Sequence, residues 1–145
     1  MVPRSLSSIA ALALIGLAYV TGPVQAKRLS TVDTFLQKWD ADHDGTLSLG
    51  EVKKAAIARF HTLDRNHAGT LSRWKLGATV PAWQFRRADT DKDGTLDMNE
   101  YLAMVKKLFR AADKDHDGTL DRKELKSPAG RFLLRLFGPT QGPFL

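Results

Sequence analysis

Residues 89–100 read DTDKDGTLDMNE, and the fold turns on whether this stretch is an isolated acidic turn or one copy of a repeat. Its central tripeptide, Gly94-Thr95-Leu96, recurs as Gly45-Thr46-Leu47, Gly69-Thr70-Leu71 and Gly118-Thr119-Leu120, at spacings of 24, 25 and 24 residues. Self-similarity at a fixed short period signals a repeated supersecondary unit. Aligned on that tripeptide, the other copies are DADHDGTLSLGE at 40–51, DRNHAGTLSRWK at 64–75 and DKDHDGTLDRKE at 113–124. A single Asp/Gly stretch arises easily as a solvated turn. Repetition at one period, with apolar segments between the copies, argues against an acidic linker.

The copies at 40–51, 89–100 and 113–124 match the EF-hand loop pattern in full, and the chain resembles the EF-hand family over most of its length after residue 26. The resemblance implies bound Ca2+, a hard cation that takes about six to eight oxygen ligands. Positions one, three and five of the loops supply Asp40, Asp42 and Asp44, then Asp89, Asp91 and Asp93, then Asp113, Asp115 and Asp117. Position seven offers the backbone carbonyl of Thr46, Thr95 or Thr119, after a glycine that permits the sharp turn. Position nine, Ser48, Asp97 or Asp121, acts through a water, and Glu51, Glu100 or Glu124 closes the ring with both carboxylate oxygens. The third and fourth loops carry five acidic ligands each against four in the first, so the C-terminal sites are expected to bind more tightly.

The copy at 64–75 departs from that pattern. Asp64 and Asn66 remain at positions one and three, but Ala68 has no oxygen at position five and Lys75 replaces the closing glutamate. Gly69, Thr70 and Leu71 survive, which are the parts that shape a loop. The expectation is a metal-free loop that braces an active one, with Lys75 paired to Asp64.

Only 12 residues, VKKAAIARFHTL, separate the first loop from the second, and YLAMVKKLFRAA separates the third from the fourth. Each carries an apolar stripe at helical spacing and no breaker, so one helix is expected to serve both flanking loops. Such a helix holds its end loops about 18 Å apart, which disfavours pairing of loop one with two or of three with four and points to pairing of loop one with three and of loop two with four. Ser30 or Thr31 is placed to cap a helix over 31–39, and Gly77 to Pro81 marks a helix end and a new start. Ser127-Pro128 begins a last helix, AGRFLLRLF, whose apolar face is assigned to the core in preference to a membrane interface; the ending TQGPFL is a tail. The implied fold class is all-α: four tandem EF-hand-like helix-loop-helix units with shared inter-loop helices and short β-bridges between loops.

At the N-terminus, Arg4 precedes the apolar run Ile9–Val20, followed by the small-residue sequence Val24-Gln25-Ala26. This predicts a signal peptide over 1–26 cleaved after Ala26 and an EF-hand domain over 27–145. The run is shorter than the roughly 20 residues of a spanning helix. Export to a periplasm or the outside follows as an expectation, and the leader, spacing and ending resemble small exported bacterial proteins with closely spaced tandem EF-hands.

All 16 acidic residues lie after position 26 and, apart from Asp33, inside the four loops, whereas most of the 22 lysines and arginines lie outside them. Calcium loading therefore leaves a strongly basic exterior. That charge suits solubility, and equally a protein target or an anionic membrane or envelope surface; nucleic acid is not an expected partner, since no compact basic motif is present. His43, His67 and His116 share position four, which faces away from the ion, so they are read as repeat ancestry and not as a transition-metal site. No nucleophile-base constellation stands outside the loops, and an enzyme is not expected. The leading reading is an exported calcium buffer or sensor; the other is a calcium-dependent adaptor on anionic surfaces.

Overall fold

The computed structural model describes residues 30–138. The expected leader over 1–26 and the tail TQGPFL lie outside the described residues. The chain forms α1 (Thr31–Trp39), β1 (Leu47–Ser48), α2 (Leu49–Leu63), β2 (Thr70–Ser72), α3 (Arg73–Leu76), a 3-10 turn (Gly77–Thr79), α4 (Ala82–Ala88), β3 (Thr95–Asp97), α5 (Met98–Ala112), β4 (Thr119–Leu120), α6 (Arg122–Leu125) and α7 (Pro128–Phe137). The fold is mostly helical, with strands of only two or three residues. No helix among the described residues is long and apolar enough to cross a membrane.

The shared inter-loop helices are present: α2 and α5 are each continuous over 15 residues. Both start from a capping box in which the ninth loop residue and the closing glutamate satisfy each other's free N–H groups, Ser48 with Glu51 and Asp97 with Glu100. Ser30 caps α1 in the same manner with Asp33. By contrast α3 lasts one turn: Ser72 makes no side-chain cap bond, and Gly77, at φ 63°, ends the helix in the left-handed region.

The strand pairing corrects the expected one. β1 pairs antiparallel with β4 (Leu47 opposite Leu120) and β2 with β3 (Leu71 opposite Leu96), so loop one partners loop four and loop two partners loop three. Helix direction is the reason. α2 packs against α5 antiparallel, with Phe60 from the end of α2 set edge-on against Tyr101 at the start of α5, ring centroids 5.7 Å apart. The start of α2, carrying loop one, therefore meets the end of α5, carrying loop four; the expected pairing of one with three demands parallel rods. Antiparallel packing also lets residues 64–97 turn back locally.

The recurrent leucine of Gly-Thr-Leu is accounted for by these pairings. Leu47, Leu71, Leu96 and Leu120 are all fully buried, each at a strand position facing the core. Beneath them Val52, Phe60, Tyr101, Val105 and Phe109 line the α2–α5 contact. α7 closes the other side: Leu133, Leu134 and Leu136 are buried and the Phe137 ring stacks on Phe35 at 5.5 Å. The apolar face of the last helix is core, as expected.

Candidate metal centres

Each loop is shaped by two left-handed residues. Position four (His43, His67, Lys92, His116) has φ between 53° and 62°, and the position-six glycine has φ between 76° and 87°. Left-handed backbone at glycine carries no Cβ penalty, and the turn it makes aims the loop's N–H groups inward. Gly45 N donates to Asp40 Oδ2 at 2.9 Å, Gly94 N to Asp89 Oδ2 at 3.1 Å and Gly118 N to Asp113 Oδ2 at 3.3 Å. The histidines at position four are exposed.

Three carboxylate groups result. Asp40, Asp42 and Glu51 bring one oxygen each within 4.8 Å of one another, as do Asp89, Asp91 and Glu100, and Asp113, Asp115 and Glu124. In every group the first aspartate is buried, and its second oxygen has no hydrogen-bond partner: Asp40 Oδ1, Asp89 Oδ1 and Asp113 Oδ1 are among the orphaned buried polar atoms of the described residues. A buried, unpaired carboxylate oxygen is costly. A cation among the three carboxylates satisfies all three loops at once, so the donor set fits a hard metal ion.

The electrostatics agree. Burial opposes ionisation of Asp40 and Glu51, yet the N–H donors of Gly45 and His43 on the first, and of Ala41 and Ser48 on the second, hold both carboxyls below their ordinary values. Asp42 is pushed up, by burial foremost and then by the charges of Asp44 and Glu51. For Asp91 the Asp93 N–H favours the charged form, but burial and the charges of Asp93, Glu100 and Asp89 together raise it. Position three is thus where like charges crowd, and a divalent cation relieves that repulsion.

The remaining expected ligands have other partners as well. At position five, Asp44, Asp93 and Asp117 each accept from the N–H and hydroxyl of the threonine two residues on, at 2.7 and 2.8 Å. Thr46, Thr95 and Thr119 therefore orient a carboxylate with their side chains, a role the sequence reading missed although the Asp-Gly-Thr repeat displays it. At position nine, Ser48, Asp97 and Asp121 act as helix caps, accepting from the N–H of the closing glutamate. Each glutamate in turn ties the loop's ends: Glu51 Oε1 accepts from Ala41 N at 2.7 Å and Oε2 from Ser48 N at 2.9 Å, with the same pattern at Glu100 and Glu124. A carboxylate oxygen has two lone pairs, so these bonds leave capacity for a metal at both oxygens of Glu100 and Glu124 and at Glu51 Oε1, while Glu51 Oε2 also accepts from the Ser48 hydroxyl at 2.9 Å.

Loop two supplies the control. Lys75 Nζ lies 3.0 Å from Asp64 Oδ1, 2.6 Å from Asn66 Oδ1 and 3.0 Å from the Thr70 carbonyl oxygen. The ammonium thus sits on the groups at positions one, three and seven, with side-chain exposures of 9% for Lys75 and 6% for Asp64. Asp64 Oδ1, the counterpart of the orphaned oxygens, is satisfied here by Lys75 and by Ala68 N. Lys75 foremost, then the N–H groups of Gly69 and Ala68, hold the Asp64 carboxyl below the usual aspartate range despite burial. A depressed carboxyl contributes stability above its unfolded value, about 3.9, and loses it as pH falls through the folded one. Loop two is accordingly held at neutral pH without metal. An NMR titration of the Asp64 carboxyl is expected to return an abnormally low value that rises in Lys75→Met; an ordinary value in the parent protein would contradict the pairing.

A model of the family described as EF hand matches residues 82–106 and 104–127. The family these matches support is the EF-hand calcium-binding family. The EF-hand matches span α4 through α6 and so contain the third and fourth loops, whose carboxylate groups are set for a metal. EF-hand sequences are typically calcium-binding and not catalytic. No curated protein matches the chain.

Proposed function

We propose that this is an exported calcium-binding protein, periplasmic or secreted, that takes up three Ca2+ ions at 40–51, 89–100 and 113–124 and acts as a calcium buffer or sensor. It carries four tandem EF-hand units, of which the second is held by its own lysine. One contrast supports the reading above all: the same buried aspartate oxygen is unpartnered in three loops and bonded to an ammonium in the fourth. A site that evolved without a cation would satisfy that oxygen from within the chain, as loop two does.

Calorimetric titration is expected to give three ions per chain. Glu51→Gln, Glu100→Gln and Glu124→Gln each remove the closing charge from one ring and are expected to weaken that site by about 10-fold or more, equivalent to about 1.4 kcal/mol. A stoichiometry of two or four, or unchanged affinity in all three variants, would overturn the assignment. Buffer and sensor part on how far the helices move when loaded, so a dye for exposed apolar surface separates them: a sensor brightens it with calcium, a buffer does not.

The adaptor reading has one observation in its favour. The described residues contain two ion pairs, Lys75–Asp64 and Arg122–Asp33, so most of the basic exterior is left to meet an external anion.

A further inference from the structure

We propose that the open cavity between the start of α1 and the α6–α7 junction binds the phosphorylated headgroup of an anionic lipid. The proposal rests on the adaptor reading and gives it a site. The cavity measures about 660 Å³ and is lined by Lys126, Arg131 and Arg135, over apolar walls from Val32, Pro128 and Leu134.

The sequence posed two fates for the last helix, core or membrane, and the fold divides the helix between them. The leucines of α7 are buried, while Arg131 and Arg135, one turn apart, stand exposed on the opposite side and face one cavity. Like charges at that spacing repel and destabilise a helix. Among the described residues no carboxylate relieves them: none lines the cavity, and none of its three cations is in an ion pair. Asp33, the acidic residue of α1, is occupied by Ser30 and Arg122, and Ser30 is spent capping α1. Arg135 is further held over the Phe132 ring, 5.8 Å from its centre.

Cations kept only for solubility spread over a surface. Here three converge on a concavity with apolar walls, which asks for an anion attached to something apolar. Guanidinium groups present a planar fork that matches phosphate oxygens, and the neighbouring ammonium adds a point charge. A lipid phosphate, with glycerol and proximal acyl carbons behind it, provides both parts.

The test is sedimentation of the full chain with vesicles of equimolar phosphatidylcholine and phosphatidic acid, in calcium and in chelator. The parent protein is expected to bind, and Arg131→Ser/Arg135→Ser to bind about 10- to 30-fold more weakly, since each basic residue near an anionic surface contributes about a factor of five. The control, Lys54→Ser/Arg110→Ser, removes the same charge from exposed positions on α2 and α5 and is expected to stay within about 3-fold of the parent. Lys126→Ser, which leaves α7 untouched, is expected to weaken binding as well. Equal weakening in the two double variants would overturn the cavity while leaving the adaptor reading intact; no binding by the parent would overturn both. Inorganic phosphate shifting the Arg131 and Arg135 resonances as readily as vesicles do would replace the lipid by a soluble anion.

Discussion

Calorimetric titration of Ala68→Asp/Lys75→Glu is expected to register one calcium ion more than the parent protein. Loop two already has the backbone of a site: left-handed His67 and Gly69, a Gly69 N–H to Asp64 Oδ2 bond at 2.8 Å, and a strand at 70–72. The ammonium of Lys75 touches the position-one, position-three and position-seven oxygens, which shows that those groups converge around a cation. What the loop lacks is oxygen at positions five and twelve, and the two substitutions restore it. An unchanged stoichiometry would place the defect in the loop backbone and contradict this account.

The single change Lys75→Met separates shape from charge. It removes the cation and adds no ligand, so no fourth ion is expected, and Asp64 Oδ1 is left with the Ala68 N–H alone and no counter-charge. Leaving a buried charge without its partner is strongly destabilising, and a fall of at least about 5 °C in the thermal midpoint of the calcium-free protein is expected. Because β2 pairs with β3, the loss is expected to lower calcium affinity at loop three and to spare loops one and four, which brace each other. Pairing of loop two with loop four, as the sequence spacing suggested, would put the effect at loop four instead and spare loop three.

That difference marks where sequence reading ended. The carboxylate groups, the shared helices and the Lys75–Asp64 pair were legible because each depends on residues within about 12 positions of one another, where loop and helix geometry fix the distances. Loop partnership depends on whether α2 and α5 run parallel or antiparallel, a choice made by packing of Phe60 and Tyr101 across 41 positions of chain; the 12-residue spacing disfavoured loop one with two and loop three with four and could go no further. The cavity at Lys126, Arg131 and Arg135 was half legible. Helical periodicity put the arginines opposite the leucines of α7, but only the fold brings the start of α1 to face them.

Gly130→Ala is expected to damage stability and one pair of calcium sites together. Gly130 is buried in the first turn of α7, where a Cβ would lie 2.6 and 2.8 Å from Leu125 Cα and C and closer still to the Glu124 carbonyl oxygen. These are backbone atoms of α6, so no side chain can swing away; α7 must lift or α6 must shift. Overpacking of this kind costs about 1–3 kcal/mol or more, and here it acts on the residue that closes loop four. Glu124 holds Lys114 N and Asp121 N as well as its place in the ring, so displacing α6 loosens both ends of the loop. Loop one follows through β1 and β4, whereas loop three, paired with the lysine-held loop two, does not. The expected titration therefore keeps one ion near parental affinity and weakens two. Ser127→Ala is the control for a merely frayed helix: it removes the cap bond to Gly130 N, costs about 1 kcal/mol and leaves calcium affinity unchanged. A Gly130→Ala protein with the parental midpoint and three parental affinities would show that α6 and α7 do not meet at this glycine.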